Sequence, residues 1–303
     1  MAENRLRVIC GPTAAGKSAI AAGLAIEYTG TLISADSRQI YRGFDIGTAK
    51  PTPSELKAIP HRGIDVAEPT ERYSASDWAA SANQWIEEAM RDERIPIIVG
   101  GTGFYIKALF EPLFEAPEID ASQRSSFEKF VEPMSVAELR RWCEVLDPDR
   151  SHLGRSQLIR AIETAVLTGH RISDLHASRA REPVHAATYL VVDPGAGLAE
   201  RIQTRVDAMI EAGWLNEVRS LDQAVPEDAP AWKASGYGTM RLVARGELDL
   251  SSARERIIIE TRQYAKRQRT WFRHQLGDSP VTRVDPSRPD WEGTVQRWWK
   301  ETS

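Results

Sequence analysis

Leu6-Arg7-Val8-Ile9-Cys10-Gly11-Pro12-Thr13-Ala14-Ala15-Gly16-Lys17-Ser18 is the stretch that decides the architecture. Its first five residues are an apolar run of strand length, and the next eight satisfy G-x-x-x-x-G-K-[ST] at every fixed position. A strand, this loop and then a helical pattern make the context of a phosphate-binding P-loop. Glycines let backbone N–H groups curl around an anion, Lys17 adds a point charge, and the Ser18 hydroxyl can ligate Mg²⁺. The helix that begins there turns its positive dipole end to the same spot. Kinases, GTPases and several transferases share the motif, so the rest of the chain must say which phosphate is held.

Working outward, short apolar runs recur at Thr31–Ala35, Ile95–Val99 and Thr188–Val192, separated by helical patterns. That alternation predicts a parallel sheet with helices on both faces. Ile20, Leu24 and Tyr28, with Ala21 and Ala25, form a 3.6-period stripe that ends at Gly30, and a second crossover helix is expected over Ser76–Arg91. From about Asp120 to about Glu182 the pattern turns mainly helical and charged, including Val136–Val145 and Ser156–Leu167. The expected class is therefore α/β: a P-loop NTPase-like parallel sheet flanked by helices, with a mainly helical insertion domain. The expected division is a catalytic core of residues 1–119 and 183–303 with the insertion at 120–182. An amphipathic helix is expected around Leu198–Leu221, a looser stretch at 225–232, and a long helix over Ala253–Gln275.

With 303 residues the chain can bury one large α/β core plus an insertion. Two cysteines, Cys10 and Cys143, argue against a disulfide framework or a zinc site. No signal peptide and no membrane-spanning apolar run can be read, so a cytoplasmic protein is expected, and a monomer. The net charge of −4 does not advertise a nucleic-acid binder, and local charge must decide.

In a parallel α/β sheet ligands bind beyond the carboxyl ends of the strands. Three polar groups fall there: the P-loop, Asp36-Ser37-Arg38-Gln39, and Thr102 in Gly100-Gly101-Thr102-Gly103. By position alone Asp36 could be a Mg²⁺-holding acid of the kind found in P-loop NTPases.

The run Ile33–Pro51, containing Ala35-Asp36-Ser37-Arg38-Gln39-Ile40-Tyr41 and Asp45-Ile46-Gly47-Thr48-Ala49-Lys50-Pro51, is more specific. Together with Gly11–Ser18, Val99–Gly103 and Thr261-Arg262-Gln263-Tyr264-Ala265-Lys266-Arg267-Gln268, it closely resembles the bacterial tRNA dimethylallyltransferases. The resemblance covers about residues 5 to 275. It implies transfer of a dimethylallyl group from dimethylallyl diphosphate to N6 of the adenosine at tRNA position 37, with diphosphate released and Mg²⁺ as cofactor. The P-loop residues Gly11, Pro12, Thr13, Ala14, Ala15, Gly16, Lys17 and Ser18 then look like a diphosphate cradle, with Ser18 on the metal. Asp36 would take the proton of the weakly nucleophilic amino group. Lys17 would stabilise the leaving diphosphate. Thr102 would hydrogen-bond to the bridging oxygen, and the family's phosphate-binding arginine aligns with Arg205, although Arg201 one turn away could serve instead.

Contacts to the anticodon stem-loop of tRNA are implied for Asp36, Ser37, Arg38, Gln39, Thr102, Arg124 and Arg160. The family's Gln-Arg-x-x-Arg is altered here to Ser156-Gln157-Leu158-Ile159-Arg160, and Gly236-Tyr237-Gly238-Thr239 lacks a basic residue, for which Lys233 could substitute. Independently of the family, Ile257, Thr261, Tyr264, Gln268 and Trp271 share one face of the long helix. Arg262, Lys266, Arg269 and Arg273 share another, so Lys266 and Arg269 are expected to meet RNA phosphates. By charge alone the same stripe also fits a solvated surface. Two other functions remain open: a P-loop nucleotide or small-molecule kinase using ATP, which has no reason to share the Asp36–Pro51 block, and a non-catalytic RNA-binding protein with a nucleotide switch. Prenylation of free adenine nucleotides is a third, less compatible with a cationic helix.

Overall fold

The computed structural model describes residues 5–111, 119–178, 185–277 and 279–301. The chain divides into two compact units, residues 1–110 with 184–303, and residues 111–183.

In the larger unit the first half runs β1 (Leu6–Cys10), α1 (Lys17–Glu27), β2 (Gly30–Ser34), α2 (Pro53–Ala58), β3 (His61–Arg62), α3 (Ala75–Arg91), β4 (Ile95–Gly100) and α4 (Gly103–Phe110). The smaller unit contributes α5 (Ala121–Val131), α6 (Val136–Leu146), α7 (Arg155–Thr168) and α8 (Ile172–Ser178). The larger unit resumes with β5 (Ala187–Val192), α9 (Leu198–Glu211), α10 (Trp214–Ala224), α11 (Tyr237–Ala244), α12 (Leu250–His274), β6 (Val281–Val284) and α13 (Trp291–Lys300).

The six strands form one parallel sheet in the order β3-β2-β4-β1-β5-β6. β1 lies inside it, with Val8 facing Ile98 of β4 and Tyr189 of β5. All five of its residues are buried, as expected of a strand covered on both faces. From β1 the chain first builds β2, β3 and β4 on one side, and later β5 and β6 on the other. The carboxyl end of β1 is thus where the connections diverge, the place where open α/β sheets bind ligands.

Ile20, Leu24 and Ala25 of α1 pack on Ile9, Leu32 and Ile97, and α13 closes the same cluster with Val295, Trp298 and Trp299. Each such buried aliphatic side chain contributes roughly 1.5–3 kcal/mol. In α3, Ser74 and Asp77 form a capping box that fixes the helix start, and Trp78 donates its buried indole N–H to the Ser34 carbonyl (2.9 Å). That bond anchors α3 at the end of β2, directly before Asp36.

Two edge strands, β3 and β6, were not expected from sequence. The helix expected around Leu198–Leu221 is two helices, broken at Gly213 (φ 94°). The smaller unit has its own core of Phe127, Val131, Leu139, Cys143, Leu158, Ala161, Ile162 and Ile172. Within it Arg155 donates to the carbonyls of Val131, Glu132 and Met134, satisfying the C-terminal end of α5. Both cysteines are buried and free. Among the described residues no helix is long and apolar enough to cross a membrane.

Candidate active site

The loop Gly11–Gly16 joins β1 to α1. A Cβ at Gly11 would lie 2.2 Å from the Val192 carbonyl oxygen, so only glycine lets the chain leave β1 there. Ala14 sits at φ 61°, a left-handed conformation that costs a non-glycine residue roughly 1–2 kcal/mol. Such strain concentrates at ligand sites. The first amides of α1, including those of Lys17 and Ser18, have no intrahelical acceptor and lie at the cavity's edge.

A cavity of about 240 Å³ is lined by Ala14–Ala19 together with Arg201 and Arg205 of α9. The two arginines, one helical turn apart, both line the cavity at the cradle. Arg201 donates to the Ala15 carbonyl (3.4 Å) and braces the loop, while Arg205 reaches the Thr48 carbonyl (3.5 Å). Lys17 folds onto the Pro12 carbonyl (2.7 Å). Burial first, and then the Arg205 charge, lower its pKa to about 8, against an opposing pull from Asp36. Burial likewise lowers the Arg205 pKa, and Asp36 opposes it.

Asp36 follows β2. Its Oδ1 accepts from the Arg38 backbone N–H (2.9 Å), which closes a tight turn and fixes the carboxylate. Thr102, after β4, is tied to the same turn: its N–H donates to Ala35 (3.1 Å), and its hydroxyl accepts from the Ser37 N–H (3.0 Å). Tyr264 of α12 lies near Thr102 and Asp36, and burial raises its pKa to about 12, so the phenol stays protonated at neutral pH. Asp36 and Arg205 also line two further cavities. One of about 320 Å³ opens beside Lys17 and Ser18 and is walled by Leu32, Ile59 and Val99; the other lies beside Arg38, Trp214 and Tyr264. Asp36 thus stands between a phosphate cradle and a second pocket.

The residues 36–51 wall this site because their polar groups are nearly all spent inward. Thr48 donates to the Phe44 carbonyl (2.6 Å), and Lys50, almost fully buried, donates to the Tyr41 carbonyl and pairs with Asp45 and Asp65 (2.6 and 2.5 Å). Glu217 of α10 accepts from the Asp45 and Ile46 amides and from the Tyr237 hydroxyl, and that hydroxyl in turn accepts from the Gly47 N–H.

Several residues singled out from sequence are committed elsewhere. Gln39 bonds Ser34 and the carbonyls of Thr48 and Ala49, so its amide holds the loop. Arg124 and Arg160 both pair with the buried carboxylate of Glu163. The Arg269 guanidinium grips Asp193 with both arms and also donates to the Gly195 carbonyl, which removes it from the open cationic stripe. Arg262, Lys266 and Arg273 remain exposed on α12. In the altered stretch Gly236–Thr239, Tyr237 and Thr239 are buried, Gly238 faces open space, and Lys233 nearby is exposed. Sequence reasoning missed Tyr264 and Gln268 as site residues, because both fall on the packing stripe of the long helix.

Ser18 is exposed, lines two of the cavities and makes no side-chain hydrogen bond among the described residues, so its hydroxyl is available as a ligand. No group of three or more His, Cys, Asp or Glu among the described residues could hold a metal ion. The donors present therefore fit an ion carried mainly by phosphate oxygens and water, as Mg²⁺ commonly is.

A parallel α/β core, a P-loop and an arginine-lined anion cavity define a phosphate-handling protein of the P-loop fold. Known relatives narrow this. The family described as "IPP transferase" matches residues 39–275, and "Isopentenyl transferase" matches residues 4–67. A "tRNA dimethylallyltransferase" of Anaeromyxobacter sp. (strain Fw109-5) is 40% identical over 280 residues, covering 90% of this chain and 93% of the relative. The crystal structure of a tRNA isopentenylpyrophosphate transferase from Staphylococcus epidermidis superposes with a TM-score of 0.68 at 30% identity, covering 98% of this chain and 97% of that one. A eukaryotic dimethylallyltransferase captured acting on tRNA superposes with a TM-score of 0.79 at 25% identity, over 97% of this chain and 78% of its own. The chain belongs to the IPP transferase family.

Proposed function

We propose that this protein transfers the dimethylallyl group of dimethylallyl diphosphate to N6 of the adenosine at position 37 of tRNA, beside the anticodon, as a cytoplasmic enzyme. The observation that carries this reading is the position of Asp36, a carboxylate shared by the pocket that adjoins Lys17 and Ser18 and by the pocket on its other side. A donor diphosphate seated on the P-loop and a base entering from the second pocket would meet there.

In the reaction N6 attacks C1 of the allyl group, and the C1–O bond breaks with its electron pair leaving on the bridging oxygen. The N6 proton passes to Asp36. Lys17, Arg205 and the first amides of α1 stabilise the charge growing on the diphosphate. The Thr102 hydroxyl, tied to the Asp36 turn through Ser37, would turn to the bridging oxygen. Mg²⁺ on Ser18 and the diphosphate would neutralise part of the leaving group's charge. On the acceptor side, Ser37, Arg38 and Lys266 are the groups offered to RNA.

The test is a comparison of donors: purified protein and tRNA with radiolabelled dimethylallyl diphosphate, against the same mixture with labelled ATP. Label should enter tRNA only from the prenyl donor. Transfer of phosphate from ATP, with none of the prenyl group, refutes the reading.

A further inference from the structure

Gln268 of α12 is a polar side chain only 7% exposed, so its amide must find partners. It finds two, on different loops. Oε1 accepts from the Thr13 backbone N–H of the P-loop (2.8 Å), and Nε2 donates to the Gly101 carbonyl of the turn after β4 (2.8 Å). Those loops follow neighbouring strands whose pairing already ends at Cys10 and Gly100, so the sheet does not set their separation beyond that point. The approach is close enough that a Cβ at Gly101 would lie 2.4 Å from Nε2. Gly101 and Gln268 therefore specify each other.

What the amide spans is functionally specific. On one side it holds the loop that cradles the leaving group; on the other it holds the turn that leads into Thr102, whose hydroxyl fixes Ser37 next to Asp36. We infer that Gln268 is a positioning residue that clamps the diphosphate cradle against the Thr102–Asp36 turn and so sets the distance between the donor's reacting carbon and the base. This rests on the prenyl-transfer reading above. Attack on an allylic carbon demands near-contact geometry, and a misplacement of about 1 Å can cost roughly 10²-fold in rate. Gln268 lines the cavity beside Lys17 and Ser18, but both ends of its amide are spent on the two loops, so its loss should fall mainly on the chemical step.

The experiment compares the parent with Gln268→Met, which keeps the volume and removes both hydrogen bonds. Single-turnover transfer at saturating tRNA and dimethylallyl diphosphate should fall between about 10- and 100-fold. Dissociation constants for tRNA and for an unreactive thiolo-diphosphate analogue should change less than about 3-fold, and the melting temperature should hold. Gly101→Ala pushes the same amide aside and should lose as much as Gln268→Ala, while the double variant, where the methyl has room, should lose no more than either, as coupled sites do. An unchanged saturated rate in Gln268→Met, a rate loss matched by both dissociation constants, or losses that multiply in the double variant would overturn the inference. Hydrogen exchange gives a readout independent of activity: the P-loop segment should exchange faster in Gln268→Met, and unchanged protection there also refutes the clamp. A parent that transfers no prenyl group while showing the protection change would sink the proposed reaction and leave the clamp standing as a structural device.

Discussion

Donor affinity should fall with rising pH in a way set by Lys17. Its ammonium must be charged to grip a diphosphate, yet burial and the Arg205 charge bring its pKa down to about 8 in the free protein. An anion seated on the cradle favours the charged form and raises the pKa in the complex. Binding above that point therefore takes up a proton, and affinity drops tenfold per pH unit once the free lysine is mostly neutral. With a free midpoint of about 8, the charged fraction is about 0.9 at pH 7 and about 0.1 at pH 9. Affinity should then weaken by roughly tenfold, about 1.4 kcal/mol, across that window. The donor's own phosphates, whose last ionisation lies near pH ~6, hardly change their charge above pH ~7. Titration calorimetry with the unreactive thiolo-diphosphate analogue, in buffers of different ionisation enthalpy, measures both the affinity and the proton taken up. Two variants give the sign. Arg205→Gln removes a like charge and should move the midpoint up while weakening binding at every pH, whereas Asp36→Asn removes the opposing charge and should move it down. Lys17→Arg stays charged throughout and should flatten the profile. A parent profile flat from pH 7 to 9, or a Lys17→Arg profile that tracks the parent, refutes the assignment.

Asp36→Asn should slow single-turnover transfer to tRNA by about 10²- to 10⁴-fold while leaving analogue binding at pH ~7 nearly intact; donor affinity falling as far as the rate, and restored by added Mg²⁺, would make Asp36 a metal ligand instead. Lys266→Gln should weaken binding to different tRNAs alike and reduce the magnitude of the salt slope by about 1. Arg269→Gln should instead show itself as lost thermal stability, because it strands the Asp193 carboxylate; an unchanged melting temperature with a reduced salt slope would reverse that assignment. Gly238→Lys points into open space in the first turn of α11, where the gain in helix propensity is offset by placing a cation at the helix's positive end, so stability should change by less than about 1 kcal/mol, with analogue affinity unchanged. A large effect on the donor would contradict the placement of that helix away from the cradle.

The strands β1, β2, β4 and β5 were legible because a strand covered on both faces must be apolar throughout, and each is a continuous run between helical patterns. The edge strands were not: His61-Arg62 is two polar residues long, and Val281-Thr282-Arg283-Val284 is half exposed, so neither carries a hydrophobic signature. The P-loop, Asp36 and Thr102 were legible because a parallel sheet delivers the residues after its strands to one edge. Arginines were read less well. Arg269 looked like part of a cationic stripe, but its partner Asp193 lies 76 residues away in sequence, and Arg124 meets Glu163 across 39. Helical spacing reports which face a side chain takes and says nothing of a carboxylate arriving from another element. Gln268 shows the reverse error. At a buried position on an apolar stripe it reads as packing, and only the approach of two loops makes its amide a link between them.

Arg205 resolves a conflict built into this chemistry. A base for the amino group must be anionic, and a leaving diphosphate is more strongly so; with nothing between them each would weaken the other. Arg205 borders the cradle and both cavities that contain Asp36, and its charge acts on Lys17 and on Asp36 in opposite senses. It lowers the lysine's proton affinity, which costs some grip on the donor at high pH. In return it compensates the Asp36 charge where the proposed reaction would bring the two substrates together. A kinase has no equivalent demand, since its acid can sit on the metal with the phosphates. Here the Asp36 carboxylate makes its hydrogen bond to a backbone amide, and the Arg205 guanidinium lines the same cavity as Asp36, Lys17 and Ser18. A cation placed beside both the carboxylate and the cradle is the arrangement that the proposed prenyl transfer requires, and that a phosphoryl donor held on a metal would not.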